Sequence, residues 1–454
     1  MNDPTISGLI TTTLAAPTLA CAALALPSWF GAKLRERVIS GIVGAAFAVA
    51  AVASAAALTL LLLSGEPLAH LSFGHWFDVG HYDFHITLIA DHLSLPFALF
   101  VALLVGLIGA FSRRYLHRER GFLRFYLLLA LFGASVELVA LAGSLDLVFF
   151  GWELVGLTSV LLIAFFHERP KPVEHGLRAF LTYRMCDVGL LGALIWLHHT
   201  AGTTAFEQEH APWAGITPVA DAGAAMLIGF LLLWASMGKS AQVPLSGWLP
   251  RAMEGPTPSS AIFYGSISVH LGPFLLLRAA PVLMQTPAVA WSVIAIGALT
   301  ALHGSFVGRV QTDIKSVLAY ASMTQVGLIL VEIGFGLHYL PLLHIIGHAT
   351  VRSLEILRSP SLLHDHHHLE QAIGRQVARA PVHVDKLLPR AWQPWLYRHA
   401  LERGYFDGLL RDFVVRPFLA VWRGFDRADR WLADLLAGRD PESPPPEERA
   451  GGAR

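Results

Sequence analysis

Apolar runs of about 18 residues or more recur along this chain, each long enough to cross the hydrocarbon core of a bilayer. Backbone surrounded by lipid must satisfy its hydrogen bonds within the segment, so such runs fold as helices. Candidate helices fall near residues 6–29, 38–64, 89–112, 122–142, 145–166, 179–197, 222–238, 257–277, 287–307, 314–336 and 340–358. Charged residues make up only 15% of the 454, against about 25% in soluble domains. The expected fold is therefore all-α, a polytopic membrane protein of about eleven transmembrane helices.

The segments between the runs supply a topology. "KLRER" (33–37), "RRYLHRERGFLR" (113–124), "HERPKPVEHGLR" (167–178), "GRVQTDIK" (308–315) and the stretch after Arg352 are basic, whereas 65–88 and 198–221 contain no Lys or Arg. This alternation puts the N-terminus outside and the C-terminal tail in the cytoplasm. The N-terminus has no basic lead, so no cleavable signal peptide is expected. Residues 1–358 read as a transmembrane cation-conducting domain, 359–440 as a cytoplasmic amphipathic tail and 441–454 as disordered. In the tail, Leu409, Phe413, Val414, Phe418 and Trp422 fall on one stripe opposite Arg411 and Arg423, a face suited to a membrane surface or a partner protein.

Several function classes are excluded early. The 33 basic and 33 acidic residues cancel, so no nucleic-acid partner is expected. Cys21 and Cys186 stand singly, against a disulfide framework or a thiolate metal site. "GKS" at 238–240 lacks the glycine a phosphate-binding loop requires; Leu233 occupies that position. His364, His366, His367 and His368 read as a solvated loop, without ordered ligand spacing. No cofactor, metal or enzyme active site is expected.

The polar residues inside the spans carry the functional signal. A Lys, Asp or Glu at mid-helix costs about 2.5–3.5 kcal/mol on insertion scales, so each needs a partner, water or a role. Glu153, Asp187, Lys239, Lys315, His344, His348 and Arg352 are such residues, with His270 nearby. Arg184 and Asp187 sit at i, i+3, which reads as an internal ion pair. His344, His348 and Arg352 are spaced four apart and share one helix face. Two readings stand for Glu153 with Lys239, a titrating pair and a structural lock between helices; two stand for the histidines, a relay and a packing network. Pro244 and Pro250 follow Lys239 and break its helix, freeing backbone groups tolerated only where they line a cavity or find protein partners.

"GWELVGLTSVLLIAFF", "GKSAQVPLSGWLPRAMEGPTPSSAI", "QTDIKSVLAYASMTQVGLI" and "HIIGHATVRSLE" together resemble the antiporter-like membrane subunits. These include the largest such subunit of respiratory complex I, sodium/proton antiporter relatives, and the membrane subunit of the DAB inorganic-carbon accumulation complexes. The resemblance runs from about Asp91 to Glu355. It implies a proton-conducting pair in Glu153 and Lys239, with Asp187, Lys315, His344 and His348 further along the route.

Departures select among members. Tyr264 stands where relatives carry a histidine, with His270 six residues on, and Arg352 stands where a lysine is usual. Arginine stays charged and exchanges no proton. The relatives continue through further spans after a point where this chain turns polar near Ser359, so a truncated antiporter-like fold is expected. "RSPSLLHDHHHLEQAIG" and "LERGYFDGLLRDFVVRPFL" resemble the DAB membrane subunit most. That resemblance implies a bacterial inner-membrane subunit conducting a cation, in the first place a proton, to energise bicarbonate accumulation. It also implies a DabA-like cytoplasmic zinc protein as partner, alongside the lipid bilayer and the transported cation. The alternatives are a proton-translocating subunit of a complex I or hydrogenase-like assembly, and a structural anchor that has lost conduction.

Overall fold

Where apolar runs meet the length requirement of a bilayer, the chain is helical. The computed structural model describes residues 4–79, 82–207, 212–373 and 389–436. Among these, ten helices are long and apolar enough to cross a membrane. They are α1 (Pro4–Trp29), α2 (Glu36–Ser64), α3 (Ser94–Tyr115), α4 (Phe122–Leu141), α5 (Leu145–Ile163), α6 (Pro170–Ala201), α7 (Ala222–Lys239), a broken helix over Thr257–Arg278, α11 (Pro287–Gly308) and α12 (Ile314–Gly334). The broken helix holds α8 (Thr257–Ser260) and α9 (Leu271–Arg278); α10 (Ala280–Gln285) follows. The eleventh expected span opens α13 (Tyr339–Ile373), where His344, His348 and Arg352 dilute the apolar character.

One expectation needs correction. Residues 65–88, read as a loop, contain most of an antiparallel hairpin, β1 (Leu68–Val79) and β2 (Tyr82–Asp91). Apolar and β-branched residues in "HITLIAD" suit a strand as well as a helix, so hydropathy alone placed the start of α3 too early. At residue 358, the boundary expected between membrane domain and tail, the chain stays helical. Helix α13 runs through it to Ile373, since the Leu, Glu and Gln residues there are good helix formers whatever their polarity. Chain contacts separate Met1–Leu401 from Glu402–Arg454.

In the first unit, α14 (Gln393–Leu401) packs on α11. The second unit contains α15 (Phe406–Leu410) and α16 (Arg416–Leu436), joined by a π-helical turn. Leu409, Phe413, Val414, Phe418 and Trp422 are all exposed on it. The expected disordered end at 441–454 lies outside the described residues, as do the side chains of the His364–His368 run.

Three of the basic loops meet in the first unit. Glu36, at the start of α2, accepts from Arg118 N (2.9 Å) and pairs with His117 (2.7 Å). Arg124 reaches His167 (3.0 Å) and the Phe165 carbonyl (2.7 Å). These contacts join the loops at 33–37, 113–124 and 167–178. Elsewhere helices approach through small residues, as in membrane packing generally. A Cβ on Gly297 of α11 would lie 2.5 Å from the Gly327 carbonyl of α12, and the reverse substitution meets the same obstacle.

At the hairpin end, Asp91 closes β2 and opens α3. Its carboxylate accepts from Leu93 N (3.0 Å), Ser94 N (2.8 Å) and Ala214 N (3.1 Å), and forms a two-pronged pair with Arg278 at the end of α9. Arg278 also donates to the Ala214 carbonyl (2.6 Å), and both side chains are buried. Burial pushes the Asp91 carboxyl up, but the Arg278 charge and the hydrogen bonds from Arg278 and Ser94 outweigh it and hold the group below the usual carboxylate range. Such a group stabilises the fold above its unfolded value and loses that contribution as pH falls through the folded one. Asp91→Asn leaves Arg278 buried without a counter-charge and is expected to cost about 3–5 kcal/mol. Thermal unfolding in detergent checks this: the deficit against the parent should be full at neutral pH and shrink in acid. Equal stability at neutral pH would refute the staple.

Candidate ion-conduction site

Three helices converge on one buried lysine. Close approach of α6 and α7 is set by glycines: a Cβ on Gly189 would lie 2.6 Å from the Leu231 carbonyl, and one on Gly238 would strike Cys186. Asp187 and Lys239, each one residue from those contact points, are thereby brought together, and both are buried. Gly156 of α5 completes the space, because a Cβ there would sit 3.0 Å from Lys239 Nζ and 3.5 Å from an Arg184 nitrogen. The ammonium donates to the Trp152 carbonyl (3.0 Å) and lies 4.8 Å from the Trp152 ring centre and 4.6 Å from that of Tyr183. This is a cation–π cradle.

The expected direct pairing of Glu153 with Lys239 is not formed. Arg184 stands between the acids, in an ion pair with Glu153 and 3.0 Å from Asp187. Asp187 Oδ1 also accepts from Trp152 Nε1 (2.6 Å). The Arg184–Asp187 pair is as the spacing implied. A longer guanidinium reaches two carboxylates from one helix face, and the lysine takes a backbone oxygen and two ring faces instead.

Past Lys239 the chain leaves helical geometry until Thr257, passing through two short 3-10 turns at Leu245–Trp248 and Arg251–Glu254. Side chains serve the freed backbone: Trp248 Nε1 donates to the Gly238 carbonyl (3.1 Å), and Val243 N donates to Thr300 Oγ1 (3.1 Å). The break expected from the prolines is present.

A second polar line lies in the broken helix and α13. After a π-turn (Ala261–Ser266), His270 Nδ1 donates to the Ser266 carbonyl. In a neutral ring Nε2 then accepts from His348 Nδ1 at 3.0 Å. The His344 and His348 rings are 6.4 Å apart. Each His344 nitrogen faces an oxygen, Glu332 Oε1 at 2.8 Å and Gln325 Oε1 at 3.0 Å. Arg352 continues the face but pairs with Glu355 (2.6 Å). Lys315, half-buried in the first turn of α12, joins neither cluster; Asp313 beside it caps that helix through Ser316 N (2.8 Å).

The structure adds residues that sequence reasoning missed. Glu332 and Gln325 complete the histidine line. Glu137 of α4 is fully buried, with no hydrogen-bond partner for either carboxylate oxygen among the described residues. A glutamate within an apolar run was the available signal for Glu137 and Glu332; nothing in the sequence marked Gln325.

A family model described as NADH:quinone oxidoreductase/Mrp antiporter, transmembrane, matches residues 142–376. A second, for the N-terminus of complex I chain 5, matches 76–126. The chain belongs to the NADH:quinone oxidoreductase/Mrp antiporter membrane-subunit family. Every residue of the lysine and histidine clusters lies inside the first matched region. The NADH-quinone oxidoreductase subunit L of Escherichia coli K12 is 36% identical over 338 residues, covering 73% of this chain and 54% of the relative. The NAD(P)H-quinone oxidoreductase chain 5 of Picosynechococcus is 32% identical over 402 residues, 87% of this chain and 58% of that one. A structure of the Mrp complex from Dietzia sp. DQ12-45-1b matches with TM-score 0.65 and 27% identity, covering 76% of this chain and 37% of that chain. An archaeal sulfane sulfur reductase complex, at 18% identity and TM-score 0.63, shares the fold. The chain spans about half the length of the curated relatives it matches.

Antiporter-family membership does not by itself fix the lysine pocket, whose size rests on Gly156. Gly156→Leu should displace the ammonium from the Trp152 carbonyl and cost about 1–3 kcal/mol. Gly8→Leu, which meets nothing within 4 Å, should cost little. Thermal unfolding of the two variants in detergent makes the comparison, and equal stabilities would refute the tight pocket.

Proposed function

We propose that this chain is a proton-translocating, antiporter-like subunit of a multi-subunit complex in the bacterial inner membrane. The observation that carries the reading is Lys239, buried at a helix break beside two acids that share one arginine. Arg184 holds its charge, leaving Glu153, Asp187 and Lys239 as the exchangeable groups. Protonation of Glu153 releases Arg184 toward Asp187. The field of Asp187 at Lys239 is then neutralised, and the lysine gives its proton onward. His270, His348 and His344 take it further, the first two joined ring to ring at 3.0 Å. Lys315 and Arg352 set the potential along that route. The gathered basic loops support an N-terminus outside and a cytoplasmic tail.

Relatives named as NADH-quinone oxidoreductase subunits and as part of an Mrp complex favour assembly with other membrane subunits. In reconstituted vesicles with a pH-sensitive dye, Glu153→Gln and Lys239→Ala should each abolish proton flux while leaving folded protein. Parental flux in both would sink the relay; loss of the folded protein would favour a structural lock.

A second reading rests on the segment from Arg358 and on the tail, which resemble the DAB membrane subunit. There, the same cation flow energises bicarbonate accumulation by a DabA-like cytoplasmic zinc protein. The compact unit starting at Glu402 offers the exposed apolar stripe from Leu409 to Trp422 as its docking face. Deletion from Glu402 onward should release a zinc-bearing partner in pull-down and leave the membrane part inserted. Co-purification of quinone- or redox-linked subunits without such a partner would decide for the first reading.

A further inference from the structure

Where the histidine line ends, at His344, a cavity begins. It lies between α11 and α12 and has a volume of about 370 Å³. Gly308 and Arg309, where α11 stops, form its outer end with Val317, one turn into α12. Arg309 is exposed there, in the basic segment 308–315. Thr324 and Gln325 form the inner end, two turns further along α12, about 12 Å by helical rise. Gln325 is the residue whose Oε1 lies 3.0 Å from His344 Nε2. The cavity therefore runs from the helix ends into the span and stops one side chain short of the histidines. Its lining is polar where the surroundings are not. Ser305 Oγ of α11 and Thr324 Oγ1 of α12, both lining residues, meet at 3.5 Å. Gly304 makes room for them, because a Cβ there would lie 2.6 Å from Thr324 Oγ1. Away from the cavity the same two helices expose Leu299, Leu302 and Leu328. Water enters a protein cavity that is polar and exceeds the about 30 Å³ one molecule takes in the liquid. Both conditions hold here.

We propose that this cavity is a water-filled vestibule through which His344 exchanges protons with the side of the basic loops; the proposal rests on the proton-translocating reading above. Gln325 is the positioning residue at its inner end. An imidazolium at His344 donates to both Glu332 Oε1 and Gln325 Oε1. A neutral ring donates to Glu332 and accepts from the Gln325 amide once that amide has turned over. Gln325 thus holds the ring in either state. Water entering beside the amide takes the Nε2 proton: one N–H bond breaks, one O–H bond forms, and hydronium leaves by the vestibule. The turned amide then donates to the bared nitrogen.

The test uses the full chain in right-side-out and inverted membrane vesicles. Ala321 lines the cavity, and Leu328 is exposed on the same helix outside it. Ala321→Cys and Leu328→Cys are treated with a membrane-impermeant cationic thiosulfonate, which reacts with the thiolate that forms in water. Peptide masses locate the label, so the native Cys21 and Cys186 stay in place. Ala321→Cys should label about ten-fold faster than Leu328→Cys, and only with reagent on the side of Arg309. Equal rates, or labelling only from the opposite side, would overturn the vestibule. Labelling is read without flux, so a failed vestibule and a failed relay are told apart. Once labelled, Ala321→Cys should lose flux several-fold against the same variant untreated; undiminished flux, with Glu153→Gln inactive, would overturn its part in the exchange. For Gln325 the readout is the imidazole infrared band of labelled histidine that disappears in His344→Ala. Gln325→Leu should shift that band, and an unshifted band overturns the positioning role.

Discussion

A charge in a low-dielectric interior must find a counter-charge, a hydrogen bond or water, and this requirement organises the molecule from end to end. At the hairpin end it joins Asp91 to Arg278, and so ties β2, α3 and α9 into one corner. In the centre it places Arg184 between two acids and aims Lys239 at a backbone oxygen. The histidines meet the same requirement by bonding to one another and to Glu332. Glu137 stands outside this pattern, buried in α4 without a hydrogen-bond partner among the described residues.

Steric closeness and electrostatics work together at the lysine. Gly189 and Gly238 allow α6 and α7 to touch, Gly156 leaves room for the ammonium, and the aromatic faces of Trp152 and Tyr183 keep it oriented. The helix break then supplies free backbone where a continuous helix would have spent it internally. The π-turn and 3-10 turn before α9 repeat this on the next polar residue, His270. Irregular backbone is confined to places where side chains can serve it, as hydrocarbon surroundings demand.

Family membership and geometry carry different parts of the functional argument. The matched region takes in both polar clusters, while the chain spans only about half the length of its curated relatives. The lysine cluster alone contains acids, a base and a fixed charge in one contact network, and a local exchange of protons needs no more than this. Partner identity belongs to surfaces, and the second unit exposes the apolar stripe from Leu409 to Trp422.

Hydropathy alone was enough to place most of the spans, because the length of an apolar run and the need to close backbone hydrogen bonds are properties of local sequence. It also marked Glu153, Asp187, Lys239, His344 and His348, since any ionisable residue in such a run is costly. The hairpin escaped it, because a short apolar, β-branched segment suits strand and helix alike until neighbours decide. Pairing was beyond it too. Which acid Lys239 faces depends on the reach of Arg184 and on how closely three helices approach, and that approach is set by glycines far apart in sequence. Nor does any spacing connect His270 with His348, separated by 78 positions. The sequence determined which residues had to find partners; only the packing of the helices decided which partners they found, because distance between side chains on different helices is a property of the fold.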